Sequence, residues 1–289
     1  MLSVASEEIL DCGDGVRLAG SYSPAPAADH LVILLHGWEG SSDSSYILSA
    51  AAELYRQGYS VYRLNFRDHG NSYHLNRKLF NSTRLQEVLD AVALVCRSYP
   101  EQYKSLAGFS LGGNFALRIA SRLAEKEVDL QQLAAISPLI NPLQTTRDIE
   151  EGFWVYHYYF LRRWKQSLAK KLALFPEYNY GDVLERSSSL SDLNEYFVPS
   201  HTDYDTPSEY LSAYGITPTV LENIQHPVAV LLAEDDPIVR QQWFDELEWP
   251  EKITIKRSSW GGHCGFISSW RFTSFADQWL LQTLAAAVS

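Results

Sequence analysis

The run Gly108-Phe109-Ser110-Leu111-Gly112-Gly113 sets one hydroxyl between glycines two residues to either side. Ser105 to Phe109 reads as a strand and Leu111 to Leu123 as a helix, so Ser110 falls on the turn where strand runs directly into helix. A residue on such a turn adopts strained backbone angles, and the flanking glycines leave room for the bend and for a closely packed helix. A chance match with an ordinary helix-capping serine is the competing reading, and the flanking elements count against it. A serine hydroxyl is a weak nucleophile until an imidazole takes its proton. His263, in Gly261-Gly262-His263-Cys264-Gly265, is suited to that role because a glycine-rich loop beyond the last strand is free to carry the ring over the sheet. The imidazole needs a carboxylate to fix its tautomer, and Glu234-Asp235-Asp236 follows a strand ending at Ala233. Asp236 takes the part, with Asp235 as turn former or helix cap, and the chain order Ser, Asp, His agrees. Charge developing on an attacked carbonyl oxygen calls for donors, and the main-chain N–H groups of Trp38 and Leu111 form the expected oxyanion hole. Such a site performs acyl chemistry whose rate rises with pH through an apparent pKa near about 6 to 7, as His263 loses its proton.

The elements needed to hold these groups follow from alternation along the chain. Glu8 to Leu10 and Val16 to Ser21 flank Cys12-Gly13-Asp14-Gly15 and predict an opening β-hairpin. Strands are expected at Leu31 to Leu35, Ser60 to Asn65, Ser105 to Phe109, Leu133 to Ile136, Val228 to Ala233 and Ile253 to Lys256. Helices are expected at Tyr46 to Arg56, Thr83 to Arg97, Leu111 to Leu123 and Thr273 to Ala286, the last with Trp279 and Leu280 facing inward. The fold class is α/β, a mostly parallel doubly wound sheet.

Between Pro138 and Pro227 the rhythm lapses. One domain spanning 1–289 with a helical cap inserted at 139–226 is the expected organisation, since 289 residues approach the upper limit of a single core. The densest aromatic stretch, Phe153 to Leu161, lies there and would wall a substrate pocket through Phe153, Trp154 and Phe160, although aromatic stripes usually only pack. The nearby basic cluster Arg162, Arg163, Lys165, Lys170 and Lys171 reads first as a solvated helix face.

Composition excludes several other functions. With 24 Lys and Arg against 35 Asp and Glu, the formal charge of -11 repels phosphate backbones and anionic lipid surfaces, so no nucleic-acid partner is expected. The sequence contains no apolar run approaching the roughly 20 residues of a membrane span and no leader-like N-terminus, which predicts an unexported protein without an integral membrane segment. Cys12, Cys96 and Cys264 are odd in number and irregularly spaced, as suits reduced thiols in a cytoplasm. His69 and His74 lack supporting carboxylate or cysteine spacing, so no metal and no cofactor are expected. Cys264 is expected to diverge from His263 and take no part.

Taken together, His36-Gly37-Trp38-Glu39-Gly40-Ser41-Ser42, Phe66-Arg67-Asp68-His69-Gly70, Gly108 to Asn114, Ala233 to Pro237 and Gly261 to Phe266 resemble the α/β-hydrolases, within them the YheT-type group, over nearly the whole chain. The resemblance implies the α/β-hydrolase fold and a metal-independent carboxylic-ester hydrolase acting on a small-molecule or lipid-like ester through an acyl-enzyme, with Ser110, Asp236 and His263 at the nucleophile, acid and base positions. An acyltransferase using the same triad and a non-catalytic binding protein on a hydrolase scaffold are the alternatives. Two departures stand out: the chain begins almost at its first strand, and Asp68-His69 replaces the smaller residues often found after the arginine, so the pocket edge is expected to differ.

Overall fold

The computed structural model describes residues 1–99, 103–126, 128–267 and 274–287. A hairpin of β1 (Ser6–Asp11) and β2 (Arg17–Ser23) leads into β3 (His30–Leu35), α1 (Ser45–Arg56), β4 (Ser60–Leu64), α2 (Leu85–Ser98), β5 (Tyr103–Phe109), α3 (Leu111–Ala120) and β6 (Gln132–Ile136). Six helices follow: α4 (Pro142–Glu151), α5 (Trp154–Leu174), α6 (Gly181–Arg186), α7 (Leu190–His201), α8 (Pro207–Ala213) and α9 (Pro218–Glu222). The chain then returns to the sheet through β7 (Val228–Ala233), α10 (Gln242–Asp245), β8 (Ile253–Ser258) and α11 (Phe275–Ala286). The expected start of the last helix, Thr273, lies outside the described residues.

The strands form one sheet in the order β1-β2-β4-β3-β5-β6-β7-β8, antiparallel at β1-β2 and β2-β4 and parallel from β4 onward. All six residues of β3 are buried because the sheet is covered on both faces. Leu31, Ile33 and Leu35 join the core beneath α2 and α3, while Val32 and Leu34 join the core against α1 and α11. This sharing of one strand between two cores makes its sequence a continuous aliphatic run instead of an alternating one. Trp279 and Leu280 of α11 are buried in the second core, as the sequence predicts.

The parallel register carries several strand ends to one edge. Leu35 pairs with Gly108, Phe109 with Ile136, Ile136 with Leu231 and Ala233 with Ser258. The segments leaving β3, β5, β7 and β8 therefore emerge together, and these carry Trp38, Ser110, Asp236 and His263. Open α/β sheets build their sites at this carboxyl edge.

Four of the six helices between β6 and β7 begin with side-chain caps. Asn141 accepts from Gln144 N–H, Ser189 and Thr206 form capping boxes with Asp192 and Glu209, and Thr217 accepts from Val220 N–H. Pro142, Pro207 and Pro218 occupy first helical turns, where the missing N–H costs no hydrogen bond. Among the described residues no helix is long and apolar enough to cross a membrane.

Close packing of β5 against α3 yields a test. A Cβ added at Gly108 would sit 2.0 Å from Gly112 O, and one at Gly112 would sit 2.4 Å from Leu35 O, both immovable backbone atoms. Gly108→Ala should lower unfolding stability by about 2 kcal/mol or more through overpacking. Gly181→Ala, whose Cβ would meet only Leu172 Cδ2 at 3.7 Å, should leave the urea midpoint nearly unchanged. Equal midpoints for the two variants would contradict this packing.

Candidate active site

Ser110 stands between β5 and α3 with φ 53° and ψ -115°, a conformation that L-residues rarely adopt. Its main chain is fixed on both sides, since Ser110 N–H donates to Ile136 O at 2.9 Å and Leu139 N–H donates to Ser110 O at 3.2 Å. The hydroxyl is thereby turned toward His263, whose Nε2 lies 2.8 Å from Ser110 Oγ. On the far side of the ring, His263 Nδ1 lies 2.9 Å from Asp236 Oδ2 and 3.1 Å from Oδ1. A neutral ring with its proton on Nδ1 satisfies both contacts: N–H donates to the carboxylate and the lone pair on Nε2 accepts from the serine.

The two adjacent aspartates divide the work. Asp236 has a side chain only 2% exposed, and its Oδ1 also accepts from Ile238 N–H at 2.8 Å and Val239 N–H at 3.0 Å, which aims the carboxylate at the imidazole. Asp235 Oδ1 accepts from Gly261 N–H and Gly262 N–H, each at 2.8 Å. It therefore ties down the loop that bears His263 and does not meet the ring.

Burial pushes His263 toward its neutral form, but the Cys264 sulfur and the Asp236 carboxylate act in the opposite sense and raise its proton affinity well above the ordinary value of 6.5. Cys264 departs from expectation here. It is buried, takes a positive φ of 66° and lines the same cleft as His263. The left-handed backbone turns its side chain inward, where divergence of neighbouring residues had suggested a bystander.

Trp38 and Leu111 flank the serine. Leu111 opens α3, so its N–H has no intrahelical acceptor, and among the described residues no acceptor meets the N–H of either Trp38 or Leu111. The loop bearing Trp38 is braced from several directions. Gly37 N–H donates to Tyr46 OH at 2.8 Å, Gly40 N–H to Gly37 O at 3.0 Å and Ser42 N–H to Asn65 Oδ1 at 2.8 Å. The buried histidines His36 and His69 are acceptors within this brace: Phe66 N–H donates to His36 Nε2 at 3.2 Å, and Glu39 N–H to His69 Nε2 at 3.3 Å. Burial holds both rings well toward the neutral form, His69 at about 4.

Glu39 carries little signal in the sequence and has a prominent place here. Buried at a φ of 56°, it accepts from Ser167 Oγ at 2.5 Å through its carboxylate and from Arg163 Nη2 at 2.6 Å through its carbonyl. Burial pushes its carboxyl up to about 7, against the pull of Ser167 and Arg163. Helix α5 also sandwiches the neighbouring Trp38: Phe160 stacks on it at 5.5 Å and Trp164 meets it edge-on at 5.4 Å. Lys171, two turns beyond Trp164, is buried and donates to Asp68 Oδ1 at 2.7 Å and to the carbonyls of Tyr73 and Asn76. The solvated face expected for the basic cluster is thus corrected at Lys171, whose partners lie about a hundred residues away in sequence and are invisible to local spacing, while Arg163 stays exposed as it donates to Glu39 O.

An open cleft of 350 Å³ holds Ser110, His263 and Cys264, with Tyr46, Glu39, Tyr156, Tyr159, Phe160 and Arg163 on its walls. Phe160 lines it. Phe153 and Trp154 do not line it; they are 63% and 68% exposed, at and before the first turn of α5, on its outward side.

A family model described as alpha/beta hydrolase fold matches residues 30–269 of the chain. The chain belongs to this family. This α/β-hydrolase is 26% identical over 263 residues to the candidate esterase YheT of Escherichia coli, covering 88% of the chain and 76% of that protein. It is also similar in fold to an esterase of Pyrococcus furiosus, with a TM-score of 0.68, 18% identity and coverage of 99% and 91% of the two chains. A 2,6-dihydroxy-pseudo-oxynicotine hydrolase gives a TM-score of 0.64 at 19% identity, with coverage of 98% and 68%. The likeness to the YheT type read from the motifs and the α/β-hydrolase fold both stand.

The grip of α5 on Glu39 predicts a graded response. Glu39→Ala removes the acceptor that Ser167 uses and should lower kcat by roughly 10-fold, below the 10²-fold or more lost when an oxyanion donor is deleted outright. Glu39→Gln keeps an acceptor oxygen and should stay within a few-fold of the parent. Steady-state kinetics on a chromogenic ester would check this, and equal losses in the two variants would contradict it.

Proposed function

We propose that this α/β-hydrolase cleaves carboxylic esters through an acyl-enzyme on Ser110, in a single domain over which residues 139–226 form the cap. The observation that carries the reading is the unbroken chain of contacts from Ser110 Oγ to His263 Nε2 at 2.8 Å and from His263 Nδ1 to Asp236 at 2.9 Å. His263 Nε2 takes the hydroxyl proton as Ser110 Oγ attacks the ester carbonyl carbon, and the electron pair of the carbonyl moves to oxygen. The main-chain N–H groups of Trp38 and Leu111 receive that oxyanion. As the tetrahedral intermediate collapses, the alkoxide leaves with the proton from His263, and the acyl group remains on Ser110. Water then gives its proton to the same nitrogen and its oxygen to the acyl carbon, and the acid departs as Ser110 recovers its proton. Asp236 remains ionised throughout and holds the ring in the productive tautomer.

Every group required belongs to the chain itself, so a small-molecule ester is the only partner the cycle calls for. All three cysteines are free. That state accords with a reducing compartment, and the cytoplasm is the proposed location.

Two measurements test the reading. Ser110→Ala should abolish turnover of p-nitrophenyl esters without loss of fold, because it removes a hydroxyl and no core volume. Asp236→Asn should lose roughly 10⁴-fold, the cost of the wrong imidazole tautomer in serine proteases. Asp235→Asn, which only loosens the loop carrying His263, should lose far less. Turnover near the parent rate in Ser110→Ala, or the reverse ranking of the aspartates, would contradict the assignment.

The pH profile has a definite sign. Attack requires neutral His263, whose proton affinity the structure raises, so kcat/KM should rise with pH through a limb above the ordinary imidazole pKa of about 6.5. Full activity persisting to pH 5 with chemistry rate-limiting would refute it.

A further inference from the structure

Two distinct spaces meet at Trp38. One is the open cleft of 350 Å³, whose walls include the ionisable Glu39, Arg163 and His263 together with Tyr46 and Tyr159. The other is a cavity of 80 Å³ beneath the helical segment that follows β6, walled chiefly by Trp38, Leu111, Leu139, Ile149, Trp164 and Leu190. No Asp, Glu, His, Lys or Arg lines this second space; burial keeps its Tyr210 and Tyr214 phenols neutral, and Leu111, Ile149 and Leu190 are buried members of the main core.

We infer that this narrow cavity is the acyl subsite, and that the substrate is an ester of a short, uncharged acid carried on a larger polar alcohol. The inference rests on the reading of Ser110 as nucleophile given above. Trp38 and Leu111 are the two residues whose main-chain N–H groups would hold the carbonyl oxygen, and the side chains of the same two residues wall the cavity. A carbonyl bound there has one substituent beside the cavity and the other in the cleft with Ser110 and His263.

The composition of the two spaces decides which substituent goes where. The leaving alkoxide must reach His263 to receive a proton, and His263 lines the cleft. The acyl chain is left with the cavity, where an ionised group would have no counter-charge.

The walls set its length. Asn114 Nδ2 donates to Leu139 O at 2.8 Å and to Tyr214 O at 2.7 Å, and Tyr210 OH accepts from Ser82 N–H at 2.9 Å, so the lining is cross-tied to α3 and to the loop before α2. Close-packed interiors of this kind do not open for extra methylenes without strain. The cavity is about half the roughly 150 Å³ of an apolar cavity that holds a benzene ring, which leaves room for an acyl chain of about three or four carbons.

The test is a series of p-nitrophenyl esters from acetate to octanoate, run beside labelling of Ser110 by a fluorophosphonate probe. The expected profile rises by about four-fold per added methylene, the fold-change that corresponds to burying one CH₂. It should peak at propionate or butyrate and fall at least ten-fold by octanoate. Ile149→Ala should move the peak to longer chains, Ile149→Val, which keeps the fold secure, should move it by a smaller step, and Ile149→Phe should confine turnover to acetate. A profile that climbs steadily to octanoate, or that Ile149→Ala and Ile149→Val leave superimposed on the parent's, overturns the assignment of the cavity while labelled Ser110 leaves the hydrolase reading intact. Failure of every ester together with an unlabelled Ser110 overturns the hydrolase reading itself, and the subsite falls with it.

Discussion

The backbone conformation of Ser110 is the constraint on which the rest of the molecule depends. At φ 53° the residue would cost free energy anywhere in a chain, of the order of 1–3 kcal/mol, and it persists only because its surroundings over-determine it. Hydrogen bonds from Ser110 N–H to β6 and from Leu139 to Ser110 O hold the turn, while Gly112 lies so near the carbonyls of Leu35 and His36 that no side chain fits between. The parallel register of β3, β5, β6, β7 and β8 is thus also what delivers the hydroxyl to His263. Strain at the turn and alignment of the strand ends are two aspects of one arrangement.

A second dependence runs from helix α5 to the loop carrying Trp38. Helix α5 grips Glu39 through Ser167 and Arg163 and encloses the Trp38 ring between Phe160 and Trp164, so the helix and this loop are tied together. Burying Glu39, Asp68 and Lys171 is costly, and the cost is offset only where each finds a partner, as the Asp68–Lys171 pair does at 2.7 Å. Such pairs contribute less to net stability than to fixing a single geometry at the rim of the site. The departure at Asp68-His69 noted in the sequence acquires its physical sense here, since Asp68 anchors α5 and His69 accepts from Glu39 N–H.

The sheet was legible in the sequence because its central strands, buried on both faces, read as uninterrupted aliphatic runs such as His30–Leu35 and Val228–Ala233. Ser110, Asp236 and His263 were legible because each follows directly on a recognisable strand or sits in a glycine-rich loop beyond one. Part of the helical stretch after β6 was also open to reading. Ser189 with Asp192, and Thr206-Pro207 with Glu209, are helix-start signals. A period of 3.6 would have set Phe160, Trp164, Ser167 and Lys171 on one face of α5 and Trp154 and Tyr158 on the other. The grip on Glu39 was not legible, because its partners lie 124 and 128 positions away and no local pattern encodes a contact across that distance.

The central claim is that Ser110 becomes covalently acylated during turnover. The most direct measurement is to quench the enzyme with acid while it turns over p-nitrophenyl butyrate, digest it and weigh the peptides. The account predicts a mass increment of one butyryl group on the peptide bearing Ser110, absent from Ser110→Ala. Turnover at the parent rate with no adduct on that peptide, under conditions where deacylation limits the rate, would contradict it.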